Sequence, residues 1–413
     1  MKVLWFVSNT SNYRSSKGGY NGCGWISSIE NAIKADDTIN LNVSFILNGE
    51  DFKITQNGVT YYPIEEKPTS IFSRIHHALN KKTEFNIHDY LYYLDAIRAV
   101  VEDCKPDIIQ VFGSENIWGL VSVVTKIPVV LHIQGILNPY YTAFLPPFIS
   151  WKKYIFSGRS PLKSYKRYRD KINIEIGANR EKYILSRIHN YIGRTEWDYR
   201  ITKLYNPHAK YYYGGEVLRP TFYEGGVRET GKKIKITTTI SAPFYKGIDL
   251  VFNTAKILKD ICKIDFEWIV FGNIDWCNVC TTFNFDPNDK NVIFEGVADA
   301  DKLKQCILTS TVYVHTSYID NSPNSVCEAQ ILGCPVIATN VGGVSSLIKD
   351  KESGYLVPAN DPYQTAFLIL QLHNDKELNI NIGNKGKAEA TKRHDTNTIV
   401  KNLISVYKKI LSI

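Results

Sequence analysis

The sequence predicts an α/β protein of two doubly wound parallel-sheet domains, on three observations. Strand-like and amphipathic helical stretches alternate through most of the chain, the pattern of parallel strands joined by crossover helices. One polar, glycine-bearing passage, RPTFYEGGVRETGKK, interrupts that alternation near the middle. A length of 413 residues suffices for two domains, each with its own core.

In the first half, strands are expected at VLWFVSN, LNVSFIL, DIIQVFG, IPVVLHIQG and HNYIGR, with amphipathic stretches such as WISSIENAIKA and HDYLYYLDAIRAVVEDC between them. A second series follows the polar passage: KIKITTTI, FEWIVFG, NVIFEG, TVYVHTS, PVIAT and GYLVP. It closes on an apolar-periodic helix, NTIVKNLISVYKKIL. The expected division is a domain over 1–218, a linker over 219–232 and a second domain over 233–395. In such sheets ligands bind beyond the carboxyl ends of the strands, so chemistry is sought in the strand-end loops.

A composition 44% hydrophobic and 22% charged is that of an ordinary globular chain rather than a disordered one. The net charge of +8 points to an anionic partner without choosing among phosphate, membrane surface and nucleic acid. The N-terminal MKVLWFVSN has too short an apolar run for a signal peptide, and no stretch reaches the roughly 18 to 20 apolar residues that cross a bilayer. A cytoplasmic protein, peripheral to the inner membrane face at most, is expected. Of eight cysteines only Cys277 and Cys280 form a CxxC, with no second pair at zinc-ligand spacing, so no metal is assigned and mostly buried, reduced thiols are expected.

The segment Ser317–Gly343, SYIDNSPNSVCEAQILGCPVIATNVGG, carries two carboxylates in a stretch otherwise built as core. TVYVHTS reads as a strand and YIDNS as its terminal loop. Ser322 is the expected N-cap, Pro323 the first helical residue and Gly333 the stop. The helix N-terminus near Asn324 and Ser325 offers backbone N–H groups and a positive dipole end, suited to phosphate. Glu328 shares their face and could reach a ligand hydroxyl, while Asp320 would meet another part of the same ligand. On spacing alone, Asp320 and Asn321 as turn residues and Glu328 as a solvated helix position remain equally open.

Asp320 and Glu328, with seven residues between them and AQILGCPVIATNVGG following, resemble the E-x7-E signature of the family-four GT-B glycosyltransferases. YKGIDLVFNTAKIL resembles the family's Lys-Gly-helix element, and FEWIVFG, NVIFEGV, SGYLVPAND and the closing helix follow in the family's order. The N-terminal half is similar more loosely, through a glycine-bearing loop, PDIIQVFG, VVLHIQG and YIGRTEWD.

The resemblance implies a GT-B fold: two Rossmann-like domains facing an interdomain cleft, the donor on the C-terminal one, the acceptor mainly on the other. The final helix, about 396–413, would pack back on the first domain. The implied reaction is transfer, with retention and without metal or cofactor, from a UDP- or GDP-sugar to a glycan or lipid-linked acceptor in polysaccharide or surface-glycan synthesis. By resemblance Glu328 binds the ribose hydroxyls, Asp320 and His132 orient the transferred sugar, and Val297 in NVIFEGV joins the donor-binding set. Aspartate at 320 is one methylene shorter than the family's glutamate. Two other classes stay open: a nucleotide-sugar epimerase on the same architecture, and a non-catalytic nucleotide-sugar binder.

Lys246, after the first strand of the second domain, could neutralise a departing diphosphate. An uncompensated lysine at a helix start is otherwise unfavourable. The family's upstream arginine is absent from TTTISAPFY, and Arg194 in YIGRTEW could replace it or form a structural salt bridge. Gly18 and Gly19 in KGGYNGCGW would let backbone approach a phosphate or sugar. GCGWIS lies too far beyond the first strand for a dinucleotide fingerprint, and no G-x-x-x-x-G-K-[ST] exists. His132, in an apolar strand, could equally be a core histidine. Residues 151–171 carry eight Lys or Arg against Asp170 alone, interleaved with aromatics. An anionic membrane surface suits them better than nucleic acid, with a solvated helical hairpin as the competing reading.

Overall fold

The computed structural model describes residues 1–13, 24–68, 83–157, 160–229 and 231–413. The chain forms two compact units. One comprises Met1–Tyr141, Ser160–Val217 and Thr396–Ile413; the other comprises Thr142–Arg159 and Leu218–Asp395.

The first unit holds eight strands: β1 (Lys2–Phe6), β2 (Asn40–Ile46), β3 (Ile54–Gln56), β4 (Val59–Ile64), β5 (Ile108–Phe112), β6 (Val129–His132), β7 (Asn190–Gly193) and β8 (Lys210–Tyr213). Their order is β3-β4-β2-β1-β5-β6-β7-β8. All neighbours run parallel except β3 and β4. That hairpin turns on Asn57 and Gly58, both at positive φ (52° and 78°), which the right-handed strand twist favours. β3, β4 and β8 were not expected from the sequence.

Strand periodicity sorts the core. Val3 and Trp5 point to one face with Trp25 and Ile29 of the Gly24–Ile33 helix, and Leu4 and Phe6 to the other with Ile97 and Val100 of the Leu91–Cys104 helix. The final helix, Thr396–Leu411, adds Ile399, Leu403, Val406 and Tyr407 to the first of these faces. Trp5 Nε1 donates to Tyr407 Oη at 2.9 Å, and the Tyr407 hydroxyl bonds Gln110 Oε1.

The second unit carries β9 (Ile234–Thr239), β10 (Phe266–Phe271), β11 (Val292–Gly296), β12 (Val312–His315), β13 (Val336–Thr339) and β14 (Tyr355–Val357), all parallel, in the order β11-β10-β9-β12-β13-β14. From β9 the chain builds outward first on one side and then on the other. The switch point therefore lies between β9 and β12, and a crevice is expected beyond their carboxyl ends.

Two segments differ from expectation. The polar passage is folded into the second unit: Phe222, on the Pro220–Tyr223 turn of helix, is fully buried, and Arg228 donates to the Gly333 and Ser310 carbonyls at 3.0 and 2.8 Å. Residues 151–171 are divided between the two units. The Trp151–Phe156 helix belongs to the second unit, where Trp151 stacks on Phe144 at 5.2 Å and Tyr154 meets Phe244 edge-on at 4.8 Å. The Pro161–Leu185 helix belongs to the first. Two of the aromatics that suggested a membrane belt are thus spent on internal packing. The described cysteines are mixed rather than mostly buried: Cys104, Cys327 and Cys334 are buried, whereas Cys277 is exposed.

Candidate functional site

The loops that follow β9 and β12 are stitched together by their backbones. Tyr318 N donates to Tyr245 O at 2.7 Å, and Thr316 Oγ1 donates to Lys246 O at 2.6 Å. Gly247 makes the approach possible. It sits at φ 69°, and a Cβ there would lie 1.9 Å from the Thr316 carbonyl oxygen. Only glycine satisfies both the left-handed conformation and that contact. The same glycine opens the Ile248–Lys256 helix, so the YKG element is a backbone device as well as a charge.

This stitching delivers Lys246 to Asp320. Nζ lies 2.6 Å from Oδ2, with the side chains 16% and 8% exposed. Asp320 Oδ2 also accepts from Ser317 Oγ at 3.2 Å and lies 3.2 Å from His315 Nε2. Burial alone would raise the Asp320 pKa, but Lys246 and His315 overcome it and hold the carboxyl well below its usual range. Burial would likewise lower Lys246, and the Asp320 charge overrides that to leave the ammonium raised. Both stay ionised across the neutral range.

The helix that follows spans Asn324–Ile331, with Pro323 at φ −66°, ψ 117° as its flanking residue. The expected Ser322 cap is therefore displaced by one position: an extended ψ keeps Pro323 outside the helix, while its carbonyl accepts from Val326 and Cys327 N–H. Asn324 and Ser325 stand half-exposed in the first turn, and Asn324 Oδ1 is buried without a hydrogen-bond partner. Glu328, one turn on, is only 3% exposed, which excludes the solvated-position reading. Its oxygens receive a fork from Arg219, Nε to Oε1 and Nη2 to Oε2, each 2.8 Å. Burial raises Glu328 and Arg219 pulls it back, leaving it above the usual glutamate value. Asp320 and Asn321 are buried too.

Lys246, Asp320, Asn324, Ser325 and Glu328 thus all belong to the loops and helix beyond the ends of β9 and β12. Val297 follows β11 in the same unit and is 44% exposed. Gly18 and Gly19 lie outside the described residues.

Two assigned residues, His132 and Arg194, lie in the first unit. His132 is a core residue of β6, 1% exposed, its ring 5.3 Å from Trp25 and 5.6 Å from Phe112. Its Nδ1 is 3.3 Å from Gln110 Nε2, and burial pushes its pKa down to about 3. His132 ends its strand, and its Nε2 is buried without a hydrogen-bond partner. Arg194 is 6% exposed, forms an ion pair with Glu216 and donates through Nη2 to Gln134 O at 2.8 Å. The salt bridge that the sequence left open is therefore present.

Sequence reasoning missed His315, Arg219, and the pair Tyr318–Asp249, whose hydroxyl donates to Oδ2 at 2.6 Å. Only TVYVHTS carried a usable signal, a histidine at a strand's carboxyl end. It also missed two carboxylates in the first unit. Glu115 follows β5, accepts from Gly135 N at 2.7 Å, and is pushed up to about 7 by burial with Glu181 nearby. Glu181 accepts from the Leu137 and Asn138 N–H groups at 2.9 Å each.

Residues 226–389 match the family model described as Glycosyl transferases group 1. The chain is similar to N-acetyl-alpha-D-glucosaminyl L-malate synthase of Bacillus anthracis, 26% identical over 191 residues, or 46% of this chain and 48% of that protein. It is 32% identical over 170 residues to the capsular polysaccharide biosynthesis glycosyltransferase CapM of Staphylococcus aureus, covering 40% and 43%. The chain thus spans about half the length of the curated relatives it matches. In structure it is similar to Anabaena HepE, solved in complex with UDP-glucose, at a TM-score of 0.62 and 16% identity over the full length of both chains. The fold is GT-B.

Proposed function

From a glycosyl transferases group 1 domain over residues 226–389 on a GT-B fold, we propose that the protein transfers a sugar from a nucleotide-sugar donor to a glycan or lipid-linked acceptor. The observation that carries this reading is the convergence of Lys246, Asp320 and the Asn324–Glu328 turn beyond the ends of β9 and β12. A cationic side chain, a helix N-terminus and a buried carboxylate are the three things a nucleoside diphosphate requires. Lys246 and the first-turn N–H groups near Asn324 and Ser325 take the diphosphate, and Glu328 takes the ribose hydroxyls. Asp320 holds Lys246 in place, a role that its shorter side chain and its three polar neighbours favour over reaching the sugar.

The reaction is same-face transfer with retention, the leaving diphosphate helping to deprotonate the acceptor hydroxyl. The protein supplies positioning and charge stabilisation. Because Lys246 and the helix end provide the positive charge, turnover is expected to persist in EDTA. UDP is the favoured nucleotide, since the full-length structural neighbour HepE binds UDP-glucose. Glycan synthesis is the favoured context by likeness to CapM.

A lipid-surface contact would use the start of the Pro161–Leu185 helix, where Leu162 is 78% and Tyr165 46% exposed beside Lys163 and Lys166. Among the described residues no helix is long and apolar enough to cross a membrane. Co-sedimentation with anionic vesicles, lost in a Leu162→Ser, Tyr165→Ser variant, tests this contact.

The first experiment is a thermal-shift screen against UDP, GDP, ADP and their sugars without metal, repeated on Glu328→Ala. Stabilisation by one nucleotide series, lost in the variant, supports the donor site. No shift with any nucleotide would sink it. Product analysis without acceptor separates a transferase from an epimerase, which alone would interconvert the nucleotide sugar.

A further inference from the structure

Arg219 lies in the passage that reads as a linker, yet its guanidinium reaches Glu328. The Pro220–Tyr223 turn that begins after it buries Phe222 against the core that includes Val326 and Cys327. The Arg219 guanidinium lies 4.8 Å from the Phe222 ring. The arginine is therefore anchored from its own side before it reaches the glutamate. The fork then occupies one lone pair on each Glu328 oxygen, at 2.8 Å. A carboxylate has about four such sites, so one on each oxygen is left for a pair of neighbouring hydroxyls.

We infer that Arg219 is a positioning residue of the donor site: it holds Glu328 in one orientation, so that the carboxylate's remaining lone pairs accept the two vicinal hydroxyls of the donor ribose. The inference rests on the nucleotide-sugar reading above.

The electrostatics agree with the geometry. Burial drives Glu328 toward the neutral acid, which would lose an acceptor, and Arg219 is the group opposing it. The other groups on the elements around it do not replace that charge. Tyr313 of β12 contributes a hydroxyl whose own pKa is raised to about 12. On the Lys376–Arg393 helix, Lys387 lies beside Gly333, and Arg393 donates to Gln330 Oε1 at 2.6 Å. β13, VIAT, carries no titratable group. A lysine at 219 would keep a charge but could not fork.

The test measures affinities for UDP, GDP and ADP and for their 2′,3′-dideoxy counterparts, from pH 5.5 to 8.5, on the wild type, Arg219→Ala and Arg219→Lys. Wild type is expected to prefer the ribonucleotide by about tenfold or more, since hydrogen bonds to a charged acceptor are the strong ones. In Arg219→Ala that preference collapses at low pH and partly returns as pH rises, because Glu328 then accepts hydroxyls only once it ionises. In Arg219→Lys the preference is reduced but flat with pH. Melting temperatures without nucleotide show whether each variant is folded, and Arg219→Lys carries the test if Arg219→Ala is not. A variant that keeps the wild-type ribose preference at every pH overturns the inference while leaving the donor site intact. Failure of the wild type to bind any nucleotide overturns the donor site itself.

Discussion

Lys246 Nζ and Asp320 Oδ2 lie 2.6 Å apart, in a buried ion pair joining the loop after β9 to the loop after β12. The pair bridges the two strands at which the sheet order reverses. A single contact therefore ties together the two loops at the switch point.

Removing either partner leaves the other charge buried and uncompensated. Lys246→Ala and Asp320→Asn are each expected to lower stability by about 3 to 5 kcal/mol. The double variant should lose less than the two single losses added together. Chemical denaturation of all three checks this, and strictly additive losses would count against the coupling.

The pH dependence of that pair follows from its shifts. Asp320 is depressed, so its contribution is complete above the ordinary carboxylate value of 3.8 and is lost as pH falls below it toward the folded value. Lys246 is raised, so its contribution is complete below the ordinary 10.5 and is lost as pH climbs above it. Between those limits the pair should make stability flat with pH. Comparing wild type with the double variant in denaturation curves at pH 3, 7 and 11 isolates the effect.

Glu115 has the opposite sign. Its folded pKa, about 7, exceeds the ordinary 4.5, so the folded state binds the extra proton and stability falls as pH rises through that window. Glu181 and Arg194 act on the same carboxyl, burial being the largest influence. Glu115→Gln should reduce the fall between pH 4.5 and 7 and be at least as stable as wild type at pH 8. A fall of unchanged size in the variant would assign it elsewhere.

Gly247→Ala combines a φ of 69° with a Cβ placed 1.9 Å from the Thr316 oxygen. Gly58→Ala has a similar φ, 78°, with nothing within 4 Å. The control should cost about 1 to 2 kcal/mol from backbone strain alone. Gly247→Ala should cost more and also abolish the nucleotide-induced melting shift, because it separates the two loops. Equal losses at both sites would show that the close approach is unimportant.

Tyr407→Phe deletes the hydroxyl that joins Trp5 Nε1 and Gln110 Oε1 in the core under the final helix. Two buried polar groups lose a partner, at about 1 to 3 kcal/mol each. A lowered melting temperature is expected. Hydrogen exchange should rise first in Thr396–Leu411, whose buried face carries this hydroxyl.

Much of the fold was legible because burial imposes a period. VLWFV, IIQVF and VIAT read as strands because both faces are covered, and NTIVKNLISVYKKIL reads as a helix because one face is. β3, β4 and β8 escaped because strands of three to six residues leave few positions for a period to show, although Asn57-Gly58 was an available hairpin signal. The site was legible where a loop, a helix start and two carboxylates share a short span, as from Asp320 to Glu328.

The sequence by itself determined the two-sheet architecture and the identity of Lys246, Asn324, Ser325 and Glu328 as a strand-end group, because local spacing and the ends of parallel strands dictate both. Only the tertiary structure decided what those groups touch. Asp320 turned out to be the counter-ion of Lys246. Glu328 is gripped by an arginine 109 positions away in apparent linker. His132 and Arg194 are a core ring and an internal salt bridge. Each outcome depends on burial and on long-range partners, and a side chain's charge and reach are set by the neighbours that packing brings to it, which no local period encodes.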